Sequence, residues 1–400
     1  MKRVILLSAL LLAGLVLSQV LPLLLSIPVW VSELREFITM VLLAYIMIEV
    51  GREFEINLKK KREYGWDYFV AATAAAFPWI FCSLYFYWIL MPGAEASEKG
   101  PLVESLLVGR FAAPTSAGVL FSMLAAAGLA STWAFKKTRI LAIFDDLDTV
   151  LLMIPLKVII AGFVWQLGVD LVAIAFILIA GVKLYRKVSL PTSWPWVLLY
   201  SFSITAMSEG IYFLTKDPVT TVGSHIEVLL PAFVLGCIFK PSESKEEITT
   251  PGEDTPGSSD EETVGLIVSS AFMFLVGLSM PAAFGERRLV ALEMGVLETL
   301  FHVVMITLLA NIGKLFAAFC YRKEATFKER LAVSISLFPR GEVGAGVLAV
   351  SLSYGITGAH VTIGFLSLAL NLILTGVFIL IVKKLLEQKN IEKRFEQTVT

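Results

Sequence analysis

Twelve apolar runs, most of them close to 20 residues long, divide this 400-residue chain, and their length limits what it can become. About 20 consecutive apolar residues match the hydrocarbon thickness of a bilayer. Inside lipid every backbone polar group needs an internal partner, so such runs are helices. The runs fall at about 4–25, 34–51, 66–91, 102–130, 138–165, 168–186, 194–214, 222–239, 263–283, 293–320, 331–353 and 358–382. The predicted fold class is an all-α polytopic membrane protein with about 12 transmembrane helices. Only 17% of the residues are charged, below the roughly 25% of a soluble domain. The net charge of −1 gives no basis for nucleic-acid binding.

Basic residues orient the chain. Loops that alternate onto one side carry 24 Lys and Arg, and those on the other side carry 5. The positive-inside rule places the 24, with both termini, in the cytoplasm of a cell inner membrane. Residues 241–262 are rich in Ser, Thr, Pro, Gly, Asp and Glu and read as an acidic flexible cytoplasmic linker. They separate a first half, 1–240 with spans 1–8, from a second, 263–385 with spans 9–12. A charged cytoplasmic tail, 386–400, follows as a helix or a frayed end. Cys82, Cys237 and Cys320 form no CxxC and read as small buried hydrophobes. Lys2-Arg3 before Val4–Leu25 imitates a signal peptide. That run is too long and has no small-residue cleavage site, so it reads as the first span.

The chemistry lies where charge enters the spans. Asp145 and Asp146 are adjacent within the apolar stretch Ile140–Val164. Buried carboxylates are expensive in lipid and serve transport paths or proton relays. Two like charges sharing a site do not both ionise easily, which makes an exchangeable proton. Four basic residues also fall inside spans: Arg110, Lys157, Lys314 and Arg340. Counted from the basic cytoplasmic ends, Asp145 lies about 9 Å deep on span five and Lys314 about 12 Å deep on span ten. The depths allow an ion pair. Lys157 lies about 16 Å from Asp146, too far for a direct pair.

Two spans are broken at comparable places. Gly109-Arg110-Phe111-Ala112-Ala113-Pro114-Thr115-Ser116-Ala117-Gly118 interrupts the fourth, and Leu337-Phe338-Pro339-Arg340-Gly341-Glu342-Val343-Gly344-Ala345-Gly346 the eleventh. Proline with clustered glycine frees backbone groups, which membrane depth tolerates only around a cavity. If spans 1–5 and 8–12 are inverted-topology repeats, the fourth pairs with the eleventh. Broken helices in corresponding positions mark a transporter's midplane site.

Phe144-Asp145-Asp146, Gly313-Lys314 and Pro339-Arg340-Gly341-Glu342-Val343-Gly344 resemble the monovalent cation:proton antiporter superfamily, in its electrogenic, double-aspartate sodium/proton antiporter branch. Weaker echoes are Gly51-Arg52-Glu53-Phe54, Leu230-Pro231-Ala232-Phe233-Val234-Leu235-Gly236 and Phe274-Leu275-Val276-Gly277-Leu278. The likeness covers nearly the whole chain in the family's order. It implies crossed broken helices, alternating access and a homodimer. It also implies that Asp146 binds the cation or a proton, that Asp145 pairs with Lys314, and that Thr115 and Ser116 lie near the cation path. The transported Na+ would then meet Asp146 and Asp145.

The chain also departs from the family pattern. Arg52 stands where an apolar residue is usual, and Asp148 adds a third aspartate. Arg110 and Arg340 are the candidate partners of Asp148, with independent titration as the alternative. Glu342 begins a half-helix whose positive dipole end suits it, so a structural role and a coupling role both stand. Glu209 either partners a buried arginine or faces a polar crevice. His225, His302 and His360 lie near span ends and read as solvated interface groups, with pH sensing as the alternative.

The expected function is secondary active exchange of Na+ or Li+ for H+, without enzymatic activity or a cofactor beyond the transported Na+ and H+. Expected partners are small monovalent cations and the lipid bilayer. A K+/H+ exchanger and a sodium-coupled organic-anion symporter are the alternatives on the same architecture. An intramembrane aspartyl protease needs its carboxyls on two facing helices, whereas neighbours on one helix diverge by about 100°. The glycines at 341–346 lie in a span rather than after a strand, which excludes a nucleotide fingerprint.

Overall fold

A computed structural model describes residues 2–24, 28–52, 61–91, 100–161, 165–215, 228–240, 258–280, 294–353, 356 and 358–399. Among them are fourteen α-helices and no strand beyond one isolated bridge, Val188 to Phe239. They are α1 (Lys2–Leu24), α2 (Val29–Arg52), α3 (Lys61–Tyr85), α4 (Pro101–Gly109), α5 (Ala117–Ala126), α6 (Trp133–Ala161) and α7 (Trp165–Leu184). The chain continues with α8 (Trp194–Thr215), α9 (Leu229–Ile238), α10 (Ser258–Leu278), α11 (Val296–Lys314), α12 (Phe327–Ser336), α13 (Glu342–Ser353) and α14 (Ala359–Val399). Fourteen helices correspond to twelve spans because the fourth is α4 with α5 and the eleventh is α12 with α13.

Among the described residues, six segments are long and apolar enough to cross a membrane by length and composition alone: Lys2–Pro22, Arg62–Leu90, Pro101–Ala126, Trp194–Thr215, Val296–Phe319 and Ala359–Glu387. The broken fourth span stands apart from the rest. Buried residues make up 94% of its apolar window, against 22–50% in the other five, so it occupies the interior rather than a lipid-facing position.

The described residues divide into two compact units that cut across the sequential halves. One unit comprises 1–27, 59–160 and 276–400, and the other 28–58 and 161–275. In the first, α3 packs on α11, α14 packs on α1, α11 and α12, and α13 packs on the 3-10 turn Arg110–Ala112 that follows α4. In the second, α2 packs on α8 and α9, and α7 on α9. There α2 and α9 approach through two glycines. A Cβ at Gly51 would lie 2.9 Å from the Cα of Gly236.

Most of the expected linker, 241–257, lies outside the described residues. Its last five residues, 258–262, are already the first turns of α10. Glu261, exposed in the first turn, favours this helix start through its dipole. The tail is helical, since α14 runs unbroken to Val399.

Candidate functional site

The site is built where the two broken spans meet. Pro114 and Pro339 each remove a backbone donor, so neither span continues as one helix through its break. At the fourth span, α4 tightens into the 3-10 turn Arg110–Ala112, and α5 restarts with Ser116 as its N-cap. At the eleventh, α12 starts with a capping box in which Thr326 and Glu329 bond each other's ends, and α13 restarts at Glu342. The two breaks bond each other: Ser116 N donates to Pro339 O at 2.9 Å, and Arg340 Nε to Ala112 O at 2.8 Å.

Asp145 on α6 points into this crossing and is 2% exposed. Its Oδ2 accepts from Lys314 Nζ at 2.7 Å, from Thr115 Oγ1 at 2.8 Å and from Thr115 N at 3.0 Å. The Thr115 hydroxyl also lies 3.1 Å from Leu337 O. With one proton to give, it favours the charged acceptor. Lys314, fully buried at the end of α11, donates in addition to Ala113 O at 2.6 Å. Asp145 thus sits at the amino end of α5, while Lys314 sits at the carboxyl end of α4. Both positions follow the polarity of helix ends.

Lys314 reaches this depth because Gly313 lets α11 lie against α3. A Cβ at Gly313 would stand 2.6 Å from Pro78 Cδ. Asp145 Oδ1 accepts no hydrogen bond among the described residues. Asp146, next on α6, is buried at 7% exposure, and Thr115 and Ser116 are buried with it.

Arg340 was a candidate partner for Asp148, and its geometry differs from that expectation. Its guanidinium donates to Ala112 O, Ala310 O, Phe338 O and Asn311 Oδ1 at 2.6–2.9 Å. All are neutral acceptors: Ala112 O and Phe338 O come from the breaks, and Ala310 O and Asn311 Oδ1 from α11. Arg340 thereby pegs both breaks to α11. Asp148 instead faces Arg110, whose Nη2 lies 3.8 Å from Asp148 Oδ2 and donates to the Asp148 carbonyl at 2.9 Å.

Glu342 is the first residue of α13, but its side chain lies outside the description, as does that of Lys157. Glu209 is half-buried on α8, in the second unit. His225 lies outside the described residues. The reading of the other two histidines as solvated is overturned. His302 is 8% exposed, with Nδ1 2.7 Å from the Tyr85 hydroxyl, and His360 is 4% exposed. His302 lies nearly two turns into α11, whereas His360 is the second residue of α14 and is covered by the Phe86 ring at its side.

Several partners were missed in the sequence. Asn311, three residues before Lys314 and so on a neighbouring face, bonds both Arg340 and Asn371 Nδ2. A polar residue there in an apolar span was the available signal. Asp67, just inside span three, accepts from Lys137 Nζ at 3.0 Å and from the Tyr321 hydroxyl at 2.8 Å. Lys137 also reaches Glu324 Oε2 at 3.1 Å. This cluster ties α3 and α6 to the connection between α11 and α12.

Among the described residues no group of three or more His, Cys, Asp or Glu is arranged to hold a metal ion. Comparison with individual curated protein sequences gives no match. Among solved structures, the fold is similar to that of the sodium proton antiporter MjNhaP1 from Methanocaldococcus jannaschii, with TM-score 0.56 and 15% identity over 94% of this chain and 91% of that one. The family model described as sodium/hydrogen exchanger, transmembrane, matches residues 3–388. Nearly the whole chain, its crossed broken spans included, therefore lies within one family pattern, and the chain belongs to the sodium/hydrogen exchanger family of membrane cation/proton antiporters.

Proposed function

We propose that this antiporter exchanges Na+ or Li+ for H+ by alternating access and that the exchange is electrogenic. The observation that carries the reading is the Lys314 ammonium bonded at 2.7 Å to Asp145 in the crossing of the two broken spans, with Asp146 adjacent. A buried pair of this kind is held tightly, since removing one partner typically costs about 3–5 kcal/mol. A cation that takes the carboxylate must therefore displace the ammonium. Lys314 keeps a second acceptor in Ala113 O, so the displacement does not strand it.

Asp146 binds either the cation or a proton in this reading. Asp145 contributes its Oδ1 to the cation, with Thr115 and Ser116 beside the path. Release of both a carboxyl proton and the Lys314 proton per cation moves net charge. The membrane potential then contributes about 2.3 kcal/mol per charge per 100 mV. The protein works as a homodimer in a cell inner membrane, with both termini in the cytoplasm.

The test is proton flux in proteoliposomes with Na+, Li+ and K+ added separately to a preset pH gradient. Dissipation by Na+ and Li+ supports the reading. Dissipation by K+ alone replaces it with K+/H+ exchange, and no response to any of the three between about pH 6.5 and 9 overturns exchange altogether.

A further inference from the structure

We infer that Arg110 and Asp148 form a second buried charge pair that sets the electrostatic potential at the Asp145–Asp146 site, making Asp148 a positioning residue for cation and proton affinity. The inference rests on the exchange reading above.

Three basic side chains are fully buried around the crossing, and each is compensated differently. Lys314 has the Asp145 carboxylate. Arg340 has three carbonyls and Asn311. Arg110, 0% exposed, has far less: its Nε and Nη1 meet no hydrogen-bond acceptor among the described residues. One face of the guanidinium lies 4.7 Å from the Trp79 ring centroid, and that indole is fixed by its own bond to Leu106 O. Asp148 supplies the only carboxylate within 4 Å among the described residues, at 3.8 Å.

An uncompensated buried guanidinium is costly, so Asp148 is the charge that permits Arg110 to be there. Asp148 is therefore read as the partner of Arg110 rather than as a carrier of the cation. The charged and titratable groups around Asp148 are Arg110 beside α4, Tyr68 from α3, Asp145 and Asp146 on α6 itself, and Lys314 from α11. Asp148 follows Asp145 by three residues and Asp146 by two, about 4.5 and 3 Å along the helix axis. A unit charge about 8 Å away in a medium of effective dielectric about 20 changes a proton or cation affinity by roughly tenfold or more.

The experiment measures the Na+ KM and the pH profile of Na+-evoked flux for the full-length protein in proteoliposomes. It compares wild type with Asp148→Asn, Arg110→Gln and the double variant. Asp148→Asn leaves a net positive charge, so its profile moves about one unit to lower pH and its KM rises about tenfold. Arg110→Gln leaves a net negative charge and moves both the opposite way, which keeps the test decisive if Asp148→Asn does not fold. The double variant returns towards wild type.

A profile and KM unchanged in both single variants overturns the inference. So does a folded Asp148→Asn without turnover whose activity the second substitution does not restore, since Asp148 would then be on the transport path itself. Absence of cation-evoked flux in the wild type overturns the exchange reading instead, and this inference with it.

Discussion

Lys314 Nζ lies 2.7 Å from Asp145 Oδ2 across 169 residues of sequence, both side chains buried between two broken helices. The same carboxylate oxygen takes both donors of Thr115, so one atom joins α5, α6 and α11. That relationship holds the assembly together, and on the proposed reading it is also what transport must undo.

Lys314→Ala leaves Asp145 buried without its cation. The expected loss is about 3–5 kcal/mol of stability, read as a lowered thermal midpoint in detergent. Asp145→Asn in the same chain removes the stranded charge and recovers part of that loss. On the proposed mechanism the surviving Lys314→Ala transport is electroneutral, so a sodium-evoked current of wild-type size would show that Lys314 carries no proton.

Gly313 tests how the lysine reaches its depth. Gly313→Ala places a methyl 2.6 Å from the Pro78 ring, forcing α11 away from α3. Overpacking of this kind costs about 1–3 kcal/mol. The expected outcome is a lower thermal midpoint together with reduced flux. An unchanged midpoint would show that the α3–α11 contact gives way freely.

The Tyr321 hydroxyl, beyond the end of span ten, donates to Asp67. Burial, and then the neighbouring Asp67 carboxylate, push its pKa above the usual tyrosine value. With the folded value raised, its contribution is fully present below the unfolded value of about 10, declines as pH rises above that value and is gone once pH has passed through the folded one. Tyr321→Phe should therefore cost about 1.5–3 kcal/mol, constant between pH 6 and 9. A cost that changes across that window would contradict the assignment.

Much of this arrangement was legible in the sequence because membrane depth penalises charge so heavily. The paired aspartates, the buried lysine and the two proline–glycine breaks each stand out against apolar runs, and the structure brings Asp145, Lys314, Thr115 and Ser116 together. Lys137 was not legible. It lies in the run Lys136-Lys137 with Arg139 close by, which reads as a solvated cytoplasmic face, yet it folds inward onto Asp67. Nor did the sequence indicate that Arg340 would bond carbonyls, since Ala112 O and Phe338 O become acceptors only where the two spans break, and Ala310 O and Asn311 reach it only through packing on α11. The interleaved units were hidden as well, because contacts between distant segments leave no periodic signal.

The most direct test of the central claim is sodium-evoked current in proteoliposomes, with wild type beside Asp146→Asn. The account predicts a current in the wild type and none in the variant, with the variant folded and its thermal midpoint little changed. A folded Asp146→Asn that still carries sodium-evoked current would contradict it.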